Sequence, residues 1–175
     1  FKADIADFYN KDFQFVLPVF IHRDSQRFLL VAVWTRFVGK MSDSYIAQAY
    51  QAVCSYEKYF DDETIIMGDF NSNAMWDGQF GTRVQHADLV QKLENDNFCS
   101  LYHVLKNEEQ GQESQPTQFQ FRHKEKAYHI DYMFINKDKV RDVDAFDIGK
   151  YRVWAQVSDH MPLFMNVRDA AYRRS

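Results

Sequence analysis

Apolar residues recur along this chain with two spacings, every second position in several short runs and every third or fourth position in two longer ones, and the two spacings divide it into strands and helices. Phe13 to Ile21 is rich in Phe and Val but contains Pro18, which removes a ladder donor, so it reads as an edge or irregular strand. The polar turn at His22–Gln26 leads into Arg27 to Trp34, strongly apolar, and the two runs form a hairpin. Past Gly39, Ser42 or Ser44 is placed to cap a helix whose positions Ile46, Ala49, Tyr50, Val53, Tyr56 and Phe60 keep one apolar face through to about Tyr59. A short buried strand, Thr64 to Met67, then stops abruptly at Gly68-Asp69-Phe70-Asn71. Ser72 to Gly81 is a long polar loop, and His86 to Glu94, with Leu89, Val90 and Leu93 on one side, is a short helix. Phe98 to Tyr102 is a brief strand, and the Glu/Gln-rich stretch from Asn107 to Gln115 reads as a solvated loop. Thr117 to Phe121 alternates as a half-buried strand and pairs back through the charged turn Arg122–Lys126 with Tyr128 to Ile135. Val140 to Gly149 is extended, Tyr151 to Gln156 a helical turn, Pro162 to Val167 a last strand and Arg168 to Ser175 a frayed tail.

One α/β domain over residues 1–175 with a mixed sheet accounts for this order, since no repeat and no second composition zone interrupts it. The 46% hydrophobic content supports a core and excludes disorder. Of the aromatic 17%, most is core, because Phe is chiefly a burial residue. Net charge is −4 and pI about 5.8, so there is no global basic footprint for nucleic acid, although a bound divalent cation could supply positive charge locally. Cys54 and Cys99 lack metal-type spacing and read as free thiols, which points to a reducing, cytoplasmic setting. No apolar run has the length of a membrane span.

Three polar clusters interrupt strand ends. Asp69 and Asn71 stand two residues apart just past a buried strand, where an open α/β sheet presents its ligands, but Asp-x-Asn is equally the chemistry of a turn. In His129-Ile130-Asp131-Tyr132 the alternation puts His129 and Asp131 on one face, either solvated or aimed at a shared site. Ser158-Asp159-His160-Met161-Pro162 precedes an apolar strand, so Asp159 and His160 are either surface turn residues or an acid/base pair whose imidazole titrates near neutrality.

Together the three clusters, Gly68-Asp69-Phe70-Asn71, His129-Ile130-Asp131-Tyr132 and Ser158-Asp159-His160-Met161-Pro162, resemble the motifs of the endonuclease/exonuclease/phosphatase superfamily, in the same order and over essentially the whole chain. The resemblance implies a four-layer α/β sandwich, two packed mixed sheets flanked by helices, with a Mg²⁺ or Mn²⁺ site at one end. It also implies phosphoester hydrolysis, most simply of phosphodiesters as in nucleases; a phosphomonoesterase or a non-catalytic binding module that retains the fold are the alternatives. By the family's pattern Asp69 positions or deprotonates water, Asn71 holds a phosphate oxygen, His160 contacts the scissile phosphate, Asp159 orients His160 or ligates metal, and Asp131 belongs to the same cluster. His129 is a candidate substrate contact or, more simply, a hydrogen-bonded structural histidine, and Trp34 is a candidate substrate contact near a position that relatives give to a phosphate-contacting His; Thr117 and His103 complete the second tier.

The family's first strands, ending in an Asn and a metal-ligating Glu, have no counterpart: the first Glu is Glu57, within the first helix. The expectation is therefore a domain that lacks its amino-terminal portion, with incomplete metal ligation and little or no activity alone, and with an exposed sheet edge that a preceding segment or a second copy would cover. The acidic 107–115 stretch weakens duplex DNA as the substrate without naming another.

Overall fold

The computed structural model describes residues 2–23, 26–43 and 45–168. In chain order the elements are β1 (Lys2–Ile5), β2 (Val16–Arg23), β3 (Gln26–Trp34), α1 (Ile46–Tyr56), β4 (Ile65–Asp69), α2 (His86–Asn95), β5 (Phe98–Ser100), α3 (Leu101–Lys106), β6 (Gln118–Phe119), β7 (Ala127–Tyr128), β8 (Asp131–Asn136), β9 (Val143–Ile148), α4 (Tyr151–Trp154) and β10 (Leu163–Val167). Six strands form one mixed sheet in the order β1-β2-β3-β4-β8-β5; β9 pairs with β10, and β6 with β7.

Alternation along the strands builds the layers. Leu29, Val31 and Val33 of β3, Ile66 of β4, and Tyr132 and Phe134 of β8 face one way and pack on Ala49, Val53 and Tyr56 of α1 and Leu89 and Leu93 of α2. The residues between them, Ile65, Met67, Met133 and Ile135, face the other way and pack on Val143, Phe146, Leu163 and Met165 of the β9–β10 ribbon. Each fully buried Leu, Ile or Phe contributes roughly 1.5–3 kcal/mol, so both interfaces hold the central strands in place. The result is the layered α/β sandwich, with the second sheet represented by two strands.

Strand direction gathers the polar ends. β3 and β4 run parallel and β8 runs antiparallel to both, so the carboxyl ends of the first two lie beside the amino end of the third. The register pairs Trp34 with Asp69 and Asp69 with Asp131, a row of three residues across adjacent strands. All three share the parity of Met67 and Met133, and so point to the ribbon face.

Several local expectations change. β2 is not an edge strand, because β1 pairs antiparallel with it; Ala6 N–H donates to Pro18 O at 3.0 Å, and the missing Pro18 N–H is where that ladder ends. The outer edge is β1 itself, exposed along its length. Ser44 lies outside the described residues, as does the side chain of Ser42; the cap position of α1 is Tyr45, at φ 52 and with no side-chain cap. The 107–115 segment is a loop with most of its residues exposed, but Glu113 and Glu108 fold back from it onto buried partners. The strand expected over Thr117–Phe121 shortens to β6, which pairs with β7 and bridges to His160 through Gln118, because Phe121 and Arg122 take left-handed backbone and β8 pairs with β4 and β5 instead. Of the expected tail, 169–175 lies outside the described residues. Cys54 and Cys99 are free thiols, and no helix among the described residues is long and apolar enough to cross a membrane.

Candidate active site

Gly68 makes the lip possible. It stands in register with Val33 at φ +139, and a Cβ there would lie 1.9 Å from Val33 O, so only glycine lets β4 approach β3 this closely. Beyond it the chain is sewn to its neighbours: Thr35 N–H donates to Asp69 O at 3.0 Å, Phe70 N–H to Ile130 O at 2.9 Å, and Thr35 Oγ1 to Phe70 O at 2.5 Å. Phe70 is fully buried against Tyr132 and Phe134, which anchors the turn from below.

Asp69 and Asp131 meet at the mouth, their side chains 12% and 14% exposed. His160 comes to them from the segment before β10. Its Nδ1 lies 3.1 and 3.0 Å from the two oxygens of Asp131, and its Nε2 lies 4.0 Å from Asp69 Oδ2 and 3.3 Å from the Gln118 amide. The hydrogen bond that His160 Nδ1–H donates to Asp131 holds the imidazole above its usual titration range, against burial. Burial raises the Asp69 carboxyl to about 6, the facing Asp131 charge adds to the rise, and hydrogen bonds from Asn71 and the His160 charge oppose it. One carboxylate thus sits near neutrality beside a second that orients an imidazole, a pairing suited to proton transfer at ordinary pH.

The structure brings Asp69, Asn71, Asp131 and His160 together, and it redistributes their roles. Asp131, not Asp159, orients His160. Asp159 is one residue away, its main-chain oxygen accepting from Phe119 N–H at 2.7 Å, and its carboxylate has no hydrogen bond to the other three among the described residues. Asn71, at φ 45, is committed to the loop: its N–H donates to Asp69 Oδ1 at 2.8 Å, and its amide donates to Asp69 Oδ2 and Thr35 O, both at 2.8 Å. With both amide hydrogens engaged, Asn71 shapes Asp69 rather than presenting a donor to a phosphate oxygen. Trp34 is 60% exposed at the end of the row, with the Arg36 guanidinium 6.0 Å from its ring, a wall residue at the rim.

His129 takes the structural role, and its expected place on the Asp131 face is corrected. It precedes β8 instead of belonging to its pleat, is 4% exposed, and packs its ring on Tyr102 and Tyr132, with Nδ1 2.7 Å from Gln115 O and Nε2 unpartnered. Thr117 explains the change of face: its Oγ1 accepts from both Ile130 N–H (3.0 Å) and Asp131 N–H (2.9 Å), turning the chain just before the strand, while its carbonyl accepts from Met161 N–H at 2.6 Å. Thr117 therefore ties the Asp131 lip to the His160 segment.

Beneath the site lies a polar cluster. Asn73 Nδ2 donates to His129 O, Tyr132 Oη and Glu113 Oε2 at 2.9, 3.0 and 3.0 Å, and Glu113 Oε1 meets His103 Nε2 at 3.0 Å and Gly111 N–H at 2.9 Å. Burial alone would raise the Glu113 carboxyl, but the hydrogen bonds from His103, Asn73 and Gly111 outweigh it and hold it at about 2. His103, expected at the site, is a partner of this cluster. Gln118, Asn73 and Glu113 are the residues that the sequence reading misses; Asn73 had a signal in the polar run 71–73, while the other two carried none.

Two cavities open at the mouth. One of about 350 Å³ lies between the sheet and the ribbon, against Gly68, Asp131, Trp154, His160 and Leu163. The other, about 570 Å³, lies on the far side of Asn71 and is lined by Trp76, Phe80, Gln118, Tyr128 and Ile130.

No family model and no curated protein matches the sequence. Solved structures do. The endonuclease domain of TRAS1, a telomere-specific non-LTR retrotransposon, is 16% identical with a TM-score of 0.62, over 95% of this chain and 67% of that one. The AP endonuclease LMAP from Leishmania major is 16% identical with a TM-score of 0.62, over 89% and 55%. An AP endonuclease from Archaeoglobus fulgidus is 13% identical with a TM-score of 0.68, over 95% and 71%. This chain thus spans between about half and three quarters of the length of these structures. Its fold is the DNase I-like fold of the endonuclease/exonuclease/phosphatase proteins.

Proposed function

We propose that this chain hydrolyses phosphoester bonds, most simply phosphodiesters, with Mg²⁺ or Mn²⁺. The observation that carries the reading is the convergence of Asp69, Asp131 and His160 at one strand-end lip, with the Asp69 carboxyl at about 6. The donor set is hard: two partly buried, mutually repelling carboxylates, which suits a cation that keeps several waters and takes one or two carboxylates plus phosphate oxygens. Asp131 would hold it beside Asp69, which is left free to meet water; no three His, Cys, Asp or Glu side chains among the described residues form a closed cage. When bound, such a cation neutralises phosphate charge.

The residues supply the rest. Asp69, ionised above about pH 6, accepts a proton from water as its oxygen attacks phosphorus and the bond to the leaving oxygen breaks. Protonated His160 keeps Nδ1–H on Asp131 and offers Nε2–H to a phosphate oxygen. Asn71 fixes both Asp69 oxygens. The similar structures include AP endonucleases and a 3′ phosphatase bound to a product DNA hairpin, which is consistent with both diester and monoester chemistry.

Hydrolysis of bis-p-nitrophenyl phosphate and p-nitrophenyl phosphate, titrated with Mg²⁺ and Mn²⁺, tests this. Metal-dependent diester turnover that falls by about 10²-fold or more in His160→Ala supports it. Absence of turnover by the intact chain at any metal concentration overturns it in favour of a binding module that retains the fold.

A further inference from the structure

The tip between β6 and β7 is held in a conformation that packing does not reward. Phe121 and Arg122 are consecutive and both left-handed, at φ 54 and 63, where residues with a Cβ are disfavoured. Phe121 gains no core contact in return and is 72% exposed. The strain is imposed from outside: Tyr151 Oη donates to Arg122 O at 2.6 Å, and the Arg122 guanidinium donates to Gln156 O and Val157 O at 3.4 and 3.3 Å. A strained, over-determined turn that pushes an aromatic ring into solvent is a feature that needs a ligand to explain it.

Its surroundings say which kind. Arg122, Lys124 and Lys126 on the tip and Lys150 and Arg152 on either side of Tyr151 are all exposed, and the tip's own acid, Glu125, pairs with His123 at 3.2 Å. Lys126 Nζ stands 5.7 Å from the Phe121 ring and Lys124 Nζ 5.0 Å from the Tyr151 ring, so charge and ring faces interleave. This basic patch belongs to a chain of net charge −4. It also borders the site: Phe121 lies three residues from Gln118, whose amide meets His160, a reach of at most about 10 Å.

We propose that this tip is a stacking ledge for single-stranded nucleic acid, with one unpaired base on the Phe121 ring and the flanking phosphates on Lys124, Lys126 and the Lys150–Arg152 turn. An open ring face takes the face of a base, which a duplex keeps covered by its neighbours, and the interleaved cations track the backbone. Resting on the phosphoesterase reading above, the ledge makes a nucleic-acid strand, not a small phosphoester, the substrate of the adjoining site.

Binding without turnover tests it. The intact chain is titrated, in EDTA, into a fluorescein-labelled short single strand of mixed sequence and into the same strand as a duplex, and anisotropy is followed over a range of salt. The single strand should bind more tightly than the duplex; Phe121→Ala should weaken it by about fivefold to 100-fold, and Phe121→Trp should restore it. Lys124→Ala and Lys126→Ala should each lower the salt slope by about 0.7. Phe121→Gly separates function from folding: glycine accepts φ 54, so the midpoint of thermal unfolding should hold or rise by about 2–4 °C while binding falls as in Phe121→Ala. No binding of the single strand at low salt, binding that Phe121→Ala and Phe121→Gly leave unchanged, or a preference for duplex overturns the proposal. Phe121-dependent binding by a chain without phosphoester turnover sinks the catalytic reading and leaves the ledge; turnover with Phe121-independent binding does the reverse.

Discussion

Gly68→Ala tests the geometry that places Asp69. The new Cβ would sit 1.9 Å from Val33 O where 3.0 Å is the practical floor, so β3 and β4 must part by about 1.1 Å or the turn must rotate. Two costs add: φ +139 is a region open essentially to glycine alone, costing about 1–3 kcal/mol, and overpacking a tight strand pair costs about 1–3 kcal/mol more. A total of roughly 2–6 kcal/mol lowers the unfolding midpoint by roughly 5–20 °C in a domain of this size. Because Asp69 follows directly, a shift of this size also misplaces it relative to His160, and diester turnover should fall by about 10²-fold in molecules that remain folded. Gly81→Ala is the control: φ there is +63 and nothing lies within 4 Å of an added Cβ, so only the backbone term applies. Urea and thermal denaturation of both variants measure the difference. If Gly68→Ala destabilises no more than Gly81→Ala, the close approach at Val33 does not hold β4 in place and the account of the lip fails.

Three further outcomes follow from the site and the cluster beneath it. Asp131→Asn removes the acceptor that raises His160, so its imidazole should titrate at lower pH in NMR; the stability that the pair adds, present below the unfolded histidine value and lost as pH rises through the raised one, should vanish from the pH dependence of unfolding. The Asp69 carboxyl should titrate near 6 by ¹³C NMR of the metal-free chain, and its midpoint should move down in Asp131→Asn, in which the facing charge is gone but burial remains. Glu113→Ala strands Gly111 N–H and His103 Nε2 and takes one of three partners from Asn73 Nδ2, and should cost about 3–5 kcal/mol in urea unfolding, with proteolysis opening first within 107–116; a loss under 1 kcal/mol would mean that the cluster is not a unit. Because the Glu113 carboxyl is held at about 2, its contribution is present above the unfolded value near 4.5 and is lost as pH falls toward 2.

The parts of this molecule that were legible in its sequence are those written in the period of a single element. α2 keeps Leu89, Val90 and Leu93 on one face, and β4 and β10 are short runs bounded by turn residues, so each was placed to within a residue or two. That Asp69, Asp131 and His160 would meet was legible because each interrupts an apolar run at its end, and the sheet needs only its parallel and antiparallel pairings to bring those ends together. What composition misreported is whatever depends on a partner far along the chain. The 107–115 stretch is polar, yet Glu113 is buried because His103 and Asn73 wait for it, and no local window contains all three. Asn71 keeps its motif position, but the Thr35 carbonyl, 36 residues earlier, takes one of its amide hydrogens and so decides what is left for a ligand. His129 shows the limit most sharply. Alternation assigns a face only inside a pleated strand, and β8 begins at Asp131 because the Thr117 hydroxyl holds the Ile130 and Asp131 N–H groups just ahead of it. Two residues before that boundary the rule no longer applies, and His129 turns inward under Tyr132 while Asp131 faces the cleft.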